Sequence, residues 1–268
     1  MPAAFPPPNK RLGQHFLIDP NIVRKIVAAA ELTPGDTIVE VGPGRGILTD
    51  ALSHAARRVI AIEIDPELCG LLHTSHTHWK NVDVVCADAL THPFETLPSG
   101  AVVVANLPYY ISTPLLFKFL EHRRRFPRLV LMLQNEVAER LIAEAGEVDY
   151  GVLSVMIQYA ADVRKAFKVS PNCFRPRPEV GSAVVVLNPR PTALLPPREE
   201  PGFARLVKAA FAHRRKTLVN SLRDEGYDAS IVTETVASMN LLPAIRAESL
   251  TLEHFMELSS RLTRRKPL

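Results

Sequence analysis

Residue types able to do chemistry fall in this 268-residue chain where strand-like runs end. The first such place is Val39-Glu40-Val41-Gly42-Pro43-Gly44-Arg45-Gly46, an apolar run entering a glycine-rich turn ahead of a helical pattern. Glycines such as Gly42 and Gly44 let the backbone approach a ligand closely and leave the first amides of the next helix free to donate. A dinucleotide turn needs GxGxxG; Ile47 makes this one GxGxG, which weakens a pyrophosphate reading. Glu63 ends the next strand-like run, about 20 residues on, where a carboxylate accepts hydrogen bonds from both ribose hydroxyls of a nucleoside. Asp65 competes for that role, but with Pro66 behind it a helix N-cap suits it better. Asp88, in Cys86-Ala87-Asp88-Ala89-Leu90, either accepts from an adenine amino group or caps a helix. Glycine turn, ribose acid and adenine partner on successive strands is the order expected for S-adenosylmethionine lying across the strand tips.

Asn106-Leu107-Pro108-Tyr109-Tyr110, after the fourth run, selects the reaction. An adenine amino group is a poor nucleophile because its lone pair is delocalised into the ring. Two acceptors, the Asn106 side-chain oxygen and the Leu107 carbonyl, would hold its hydrogens so that the lone pair points at a methyl sulfonium. Pro108 fixes the backbone direction, and Tyr109 offers a ring to an extruded base. No strong general base is needed, so catalysis is mainly positioning.

Those residues require strands that end side by side. Runs at Thr37 to Val41, Val59 to Glu63, Asp83 to Cys86, Val102 to Ala105 and Leu129 to Leu133 are apolar throughout, as expected of parallel strands covered on both faces. Helical patterns at Leu48 to Ala56, Pro66 to His73 and Thr113 to Glu121 alternate with them, giving a doubly wound α/β plan. Asp19-Pro20 opens an earlier helix carrying Ile22, Val23, Ile26, Val27 and Ala30. After helices around Glu136 to Ala145 and Leu153 to Ala160, the runs Arg164 to Val169 and Ala183 to Leu187 lack a crossover helix and suggest an antiparallel hairpin at one sheet edge. The expected fold is therefore a mostly parallel seven-stranded, Rossmann-like sheet with a small all-α C-terminal domain. Its expected parts are a mobile arm over 1–18, an α/β domain over 19–188, a linker with five prolines over 189–201, and a helical RNA-binding domain over 202–268.

Composition narrows the partner. The chain has 47% hydrophobic residues, 32 basic against 28 acidic side chains and a pI near 9.0; from residue 190 onward the counts are 13 and 9, which accounts for the whole excess. Clusters at His122-Arg123-Arg124-Arg125, His213-Arg214-Arg215-Lys216 and Arg264-Arg265-Lys266 suit a polyanion such as RNA, although any one of them also suits a solvated helix end. No run approaches a membrane span and the N-terminus lacks a signal-type apolar core, so a soluble cytoplasmic protein is expected. Cys69, Cys86 and Cys173 are expected as three buried thiols, with neither a disulfide framework nor a zinc site. His73, His76 and His78 are read as surface residues.

In combination, Gly13-Gln14-His15-Phe16-Leu17, the VEVGPGRGILT run, Glu63-Ile64-Asp65, Ala87-Asp88-Ala89-Leu90, Asn106-Leu107-Pro108-Tyr109, Tyr150-Gly151, the Phe174 to Val184 segment FRPRPEVGSAV and Arg246-Ala247-Glu248-Ser249-Leu250 resemble the KsgA family of small-subunit ribosomal RNA adenine dimethyltransferases. The likeness spans nearly the whole chain. It implies methyl transfer from S-adenosylmethionine to N6 of two adjacent adenines in a hairpin loop near the 3′ end of 16S ribosomal RNA, within the small subunit or its precursor, by a monomer. It further implies that His15 and Leu17 border the methionine end of the cofactor, Gly42 contacts it through backbone, Glu63 binds its ribose, Asp88 its adenine, and Asn106 both cofactor and substrate. Tyr109 and Phe174 would sandwich the target base; core packing is the plainer role for Phe174, and a loop histidine the plainer one for His15. Many relatives are basic where this chain has Val152, so one RNA contact of the family is not carried over to this position, while the chemistry is untouched. Two alternatives remain: the related large-subunit adenine methyltransferase of macrolide resistance, and an assembly factor that mainly binds RNA.

Overall fold

The structure is a computed structural model describing residues 6–75 and 78–265; His76, Lys266 and the first five residues of the expected arm lie outside this range. Its elements in chain order are β1 (Phe16–Leu17), α1 (Pro20–Ala30), β2 (Thr37–Val41), α2 (Ile47–Ala55), β3 (Arg58–Glu63), α3 (Pro66–Ser75), β4 (Val82–Cys86), β5 (Val102–Asn106), α4 (Ser112–Glu121), β6 (Leu129–Gln134), α5 (Asn135–Ile142), α6 (Val152–Ala160), β7 (Ala161–Val169), β8 (Phe174–Arg175), β9 (Ser182–Pro189), α7 (Glu200–Phe211), α8 (Leu218–Asp224), α9 (Ala229–Ser238) and α10 (Leu252–Arg265). No helix among the described residues is long and apolar enough to cross a membrane.

Seven strands form one sheet in the order β4-β3-β2-β5-β6-β9-β7. β2 pairs in parallel with both β3 and β5, while β9 runs antiparallel between β6 and β7. From β2 the chain winds outward through β3 and β4, then returns to start β5 on β2's other side, so strand order reverses between β2 and β5. A crevice opens at the carboxyl tips of strands at such a reversal. The apolar strands are covered on both faces: Ile38, Val59, Val104 and Val130 are buried against α1 and α2 residues such as Ile26, Leu48 and Leu52. Asp19 starts α1 as expected, accepting a 2.8 Å bond from the Asn21 amide ahead of Pro20.

Three expectations are corrected here. β1 and β8, two-residue strands without a periodic signal, pair antiparallel with Phe16 opposite Arg175 and Leu17 opposite Phe174. Phe16 and Leu17 are thus buried parts of the α/β unit, and the end of the segment read as a mobile arm is built into it. Cys69 on α3 and Cys86 at the end of β4 are joined as a disulfide, with Cα atoms 6.0 Å apart, and Cys173 is only half-buried. α3 leaves the tip of β3 and leads back to neighbouring β4, which brings together two thiols 17 positions apart that no motif links. Finally, the chain divides into two compact units, residues up to 138 with 161–191 and residues 139–160 with 192 onward. Residues 139–160, expected in the α/β domain, belong to the helical unit, because Tyr150, Val155 and Tyr159 share its core with Phe203, Leu206 and Phe255. Within that unit the Tyr159 and Phe203 rings lie 4.5 Å apart and the Tyr150 hydroxyl donates to the Leu250 carbonyl.

Candidate active site

The tips of β2, β3 and β5, the glycine turn and residues 12–17 line one crevice. On its β3 side the Glu63 carboxylate is only 5% exposed and is held by backbone amides, Gly44 donating to Oε2 at 3.1 Å and Asp65 to Oε1 at 3.0 Å. Burial pushes the Glu63 carboxyl above its usual range, and these amides partly offset the shift by favouring the charged form. Gly44 has φ +56, and a Cβ there would meet the Phe16 ring at 2.9 Å, so only glycine lets residue 16 close against the turn. The Arg45 guanidinium lies 4.5 Å from the centre of that ring. Asp65 takes the capping role expected of it, accepting from the Glu67 amide at 3.0 Å and from Gln14 Nε2 at 2.9 Å.

The β5 side is neutral. Asn106 ends the strand and is partly exposed, and its amide reaches the His15 carbonyl at 3.5 Å. The Leu107 amide donates to Met132 O at 3.2 Å, which fixes the following turn to β6. The Tyr109 hydroxyl is 2.7 Å from Ser182 Oγ, its carbonyl accepts from Ser112 Oγ at 3.0 Å, and the His15 ring stacks on it at 5.7 Å. His15 in turn is held through Nδ1, 2.8 Å from the Pro176 carbonyl. Burial pushes the Tyr109 phenol upward, keeping it neutral.

The crevice brings together His15, Leu17, Gly42, Gly44, Glu63, Asn106, Leu107, Pro108 and Tyr109. Asp88 and Phe174 are not among its lining residues. Asp88 closes its own turn, Oδ1 accepting from the Leu90 amide at 2.8 Å, and its charge bears on the Tyr110 hydroxyl at the rim. Phe174 corrects the expectation of an exposed stacking ring: pairing of β8 with β1 turns it into the core, with 0% exposure beside Leu17 and Ile22. Two residues were missed. Glu40, buried at the crevice floor, was hidden by its place in an apolar strand. Lys118 on α4 donates to the carbonyls of Ala89, Leu90 and His92 at 3.0, 2.7 and 2.6 Å and lies 4.3 Å from the Phe94 ring centre, clamping the loop after Asp88. A lone lysine in a helical pattern carries no signal of that role.

A glycine turn, a buried acid and a strand-end amide thus line one crevice, and a family model described as ribosomal RNA adenine dimethylase matches residues 7–263. The chain belongs to that family. Family relatives named ribosomal RNA small subunit methyltransferase A include one from Moorella thermoacetica, 45% identical over 266 residues that cover 95% of this chain and 92% of the relative. Another, from Geobacter metallireducens, is 42% identical over 257 residues, covering 93% and 94%. Among solved structures, a dimethyladenosine transferase from Plasmodium falciparum superposes with a TM-score of 0.83 at 28% identity, covering 94% of this chain and 98% of that one. The 23S rRNA methyltransferase ErmE gives 0.73 at 27%, covering 92% and 99%.

Proposed function

We propose that the chain transfers methyl groups from S-adenosylmethionine to N6 of two adjacent adenines in a hairpin loop near the 3′ end of 16S ribosomal RNA, as a cytoplasmic monomer acting on the small subunit or its precursor. The observation that carries this reading is the facing of Glu63 and the glycine turn by Asn106 and Leu107 across one crevice. The large-subunit alternative is less favoured, since relatives named for the small subunit reach 45% identity and ErmE 27%.

The residues present fit a nucleoside bearing a cation. Gly44 keeps the turn bare of side chain, with Phe16 closed against it, and the wall beside it holds one buried carboxylate, Glu63, and one buried carboxyl oxygen without a partner, Glu40 Oε2. In this assignment Glu63 holds the ribose, Asp88 the adenine amine, and His15, Leu17, Gly42 and Gly44 the amino-acid end. When bound, the group supplies a methyl on a positively charged sulfur, already activated toward nucleophiles.

The chain's own residues then have to prepare the adenine. The Asn106 side-chain oxygen and the Leu107 carbonyl accept the two amino hydrogens and turn the nitrogen lone pair toward the donor side, an orientation effect. Pro108 holds that carbonyl in place with φ −56. With Phe174 in the core, stacking on the base falls to Tyr109, steadied by Ser182 and His15. No residue has to abstract a proton before transfer, because the methylated ammonium sheds its extra proton readily to water.

The test is to incubate the protein with labelled S-adenosylmethionine and unmodified small or large subunits and map the product. Label on two neighbouring small-subunit adenines is expected. Label on the large subunit would move the chain to the ErmE type, and no label on either would leave RNA binding alone.

A further inference from the structure

The Cys69–Cys86 bond has no part in the steps above, yet it stands directly behind Glu63. Cys86 is the last residue of β4, paired opposite Glu63 of β3, and the next amide, that of Ala87, donates to the Glu63 carbonyl at 2.9 Å. Two residues past Cys86, Asp88 closes the turn that follows the strand. Cys69 lies in the first turn of α3, its amide donating to the Asp65 carbonyl at 2.9 Å and its Sγ lying 3.5 Å from the Glu63 carbonyl. β4 is an edge strand of the sheet, next to β3. The bond therefore ties the end of an edge strand, and the turn that carries Asp88, to the helix that Asp65 caps.

The two sulfurs differ in access: Cys69 is 2% exposed, whereas Cys86 is an exposed residue. Thiol–disulfide exchange depends on which sulfur an incoming thiolate can reach, and here that is Cys86. Cys69, once released and protonated, has the Glu63 carbonyl within reach to accept its hydrogen, so the buried thiol is not stranded. Both oxidation states have a place in the fold.

We propose that Cys69 and Cys86 form a reversible thiol–disulfide site that tunes donor binding: the bond holds the adenosine side of the crevice in its binding shape, and a small thiol opens it. This rests on the reading of the crevice as the S-adenosylmethionine site, with Glu63 and Asp88 on the adenosine. In the opening direction a small thiolate attacks Cys86 Sγ, the S–S bond breaks, and Cys69 leaves as a thiolate that takes a proton from water. A second small thiol then frees Cys86, so two small thiols become one small disulfide and the protein gains two thiols. Closing is the reverse, with a small disulfide as the oxidant. In the open form the end of β4 and the Asp88 turn sample more arrangements, which binding must narrow, so the donor is held less tightly.

The experiment is calorimetric titration of the full chain with S-adenosylmethionine after equilibration with reduced or oxidised glutathione. It compares the natural protein, Cys173→Ser and the double variant Cys69→Ser, Cys86→Ser; the intact mass, lower by two hydrogens when the bond is closed, identifies each form. The closed form should bind about five- to tenfold more tightly than the open one, with RNA affinity in a filter assay unchanged. Cys173→Ser should respond as the natural protein does, and the double variant should show the open form's affinity in either glutathione state. Coupling between two sites is reciprocal, so saturating S-adenosylmethionine should shift the exchange equilibrium with glutathione toward the bond by the same factor. A crosslink that serves stability alone would lower the melting temperature on reduction and change neither quantity. Equal affinity in the two forms, an equilibrium that the donor does not move, or failure of oxidised glutathione to close the pair would overturn the proposal. If neither form binds the donor, the crevice assignment itself fails and this proposal falls with it.

Discussion

The two walls of the crevice are made from the same material, the carboxyl ends of parallel strands, yet they are finished in opposite ways. The β2 and β3 wall carries acids: Glu63, tied down by the Gly44 and Asp65 amides, and Glu40 beneath it. The β5 wall carries an amide and a phenol, and Asn106 has a single long bond to His15. Backbone-anchored charge suits holding a polar ligand in one pose, whereas a loosely engaged amide suits taking hydrogen bonds from an incoming group. In the proposed function, holding and reacting thereby fall to different strands.

Asn106→Ala breaks the division most directly. Methyl transfer should fall at least ~100-fold, while calorimetric affinity for S-adenosylmethionine should weaken by no more than about tenfold. An equal loss in both would mean that the walls do not divide the work. Glu63→Gln should do the converse, weakening donor affinity about 10- to 100-fold through loss of a charged acceptor, with RNA binding in a filter assay unchanged. Lys118→Met sharpens the comparison from outside the crevice. Freeing the carbonyls of Ala89, Leu90 and His92 should cost about 1–3 kcal/mol of stability, read as a lower melting temperature. Donor affinity should drop a few-fold as the Asp88 loop loosens, and an unchanged affinity would show that this loop does not serve the β3 wall.

Much of this was legible in the residues, where a local pattern decides the outcome. Apolar, β-branched runs such as Thr37 to Val41 and Val59 to Glu63 have no other stable home than a covered sheet, and Gly44 and Glu63, singled out by type and spacing, do line one crevice. What escaped depends on distant partners. Phe174 sits among prolines that argue for exposure, but a two-residue pairing with β1 decides its burial. Residues 139–160 carry a helical pattern that does not say which core it serves. The cluster at 122–125 reads as a basic patch, yet His122 meets Glu95 at 3.0 Å, Arg125 donates to the Leu97 carbonyl at 3.0 Å and Arg124 to the Pro191 carbonyl at 3.3 Å. Those side chains stitch the α/β unit together. Arg214 and Arg215 in the helical unit are exposed, and counting charges does not separate the two cases.

The pairing of Phe16 and Leu17 with Phe174 and Arg175 also sets a timetable. During synthesis the ribosome delivers the first of these strands early and its mate roughly 160 residues later, so this edge of the ligand cleft stays unfinished until most of the chain has emerged. A nascent or prematurely terminated chain ending before that point would lack β8, and only a product that extends past residue 175 would close this edge of the crevice.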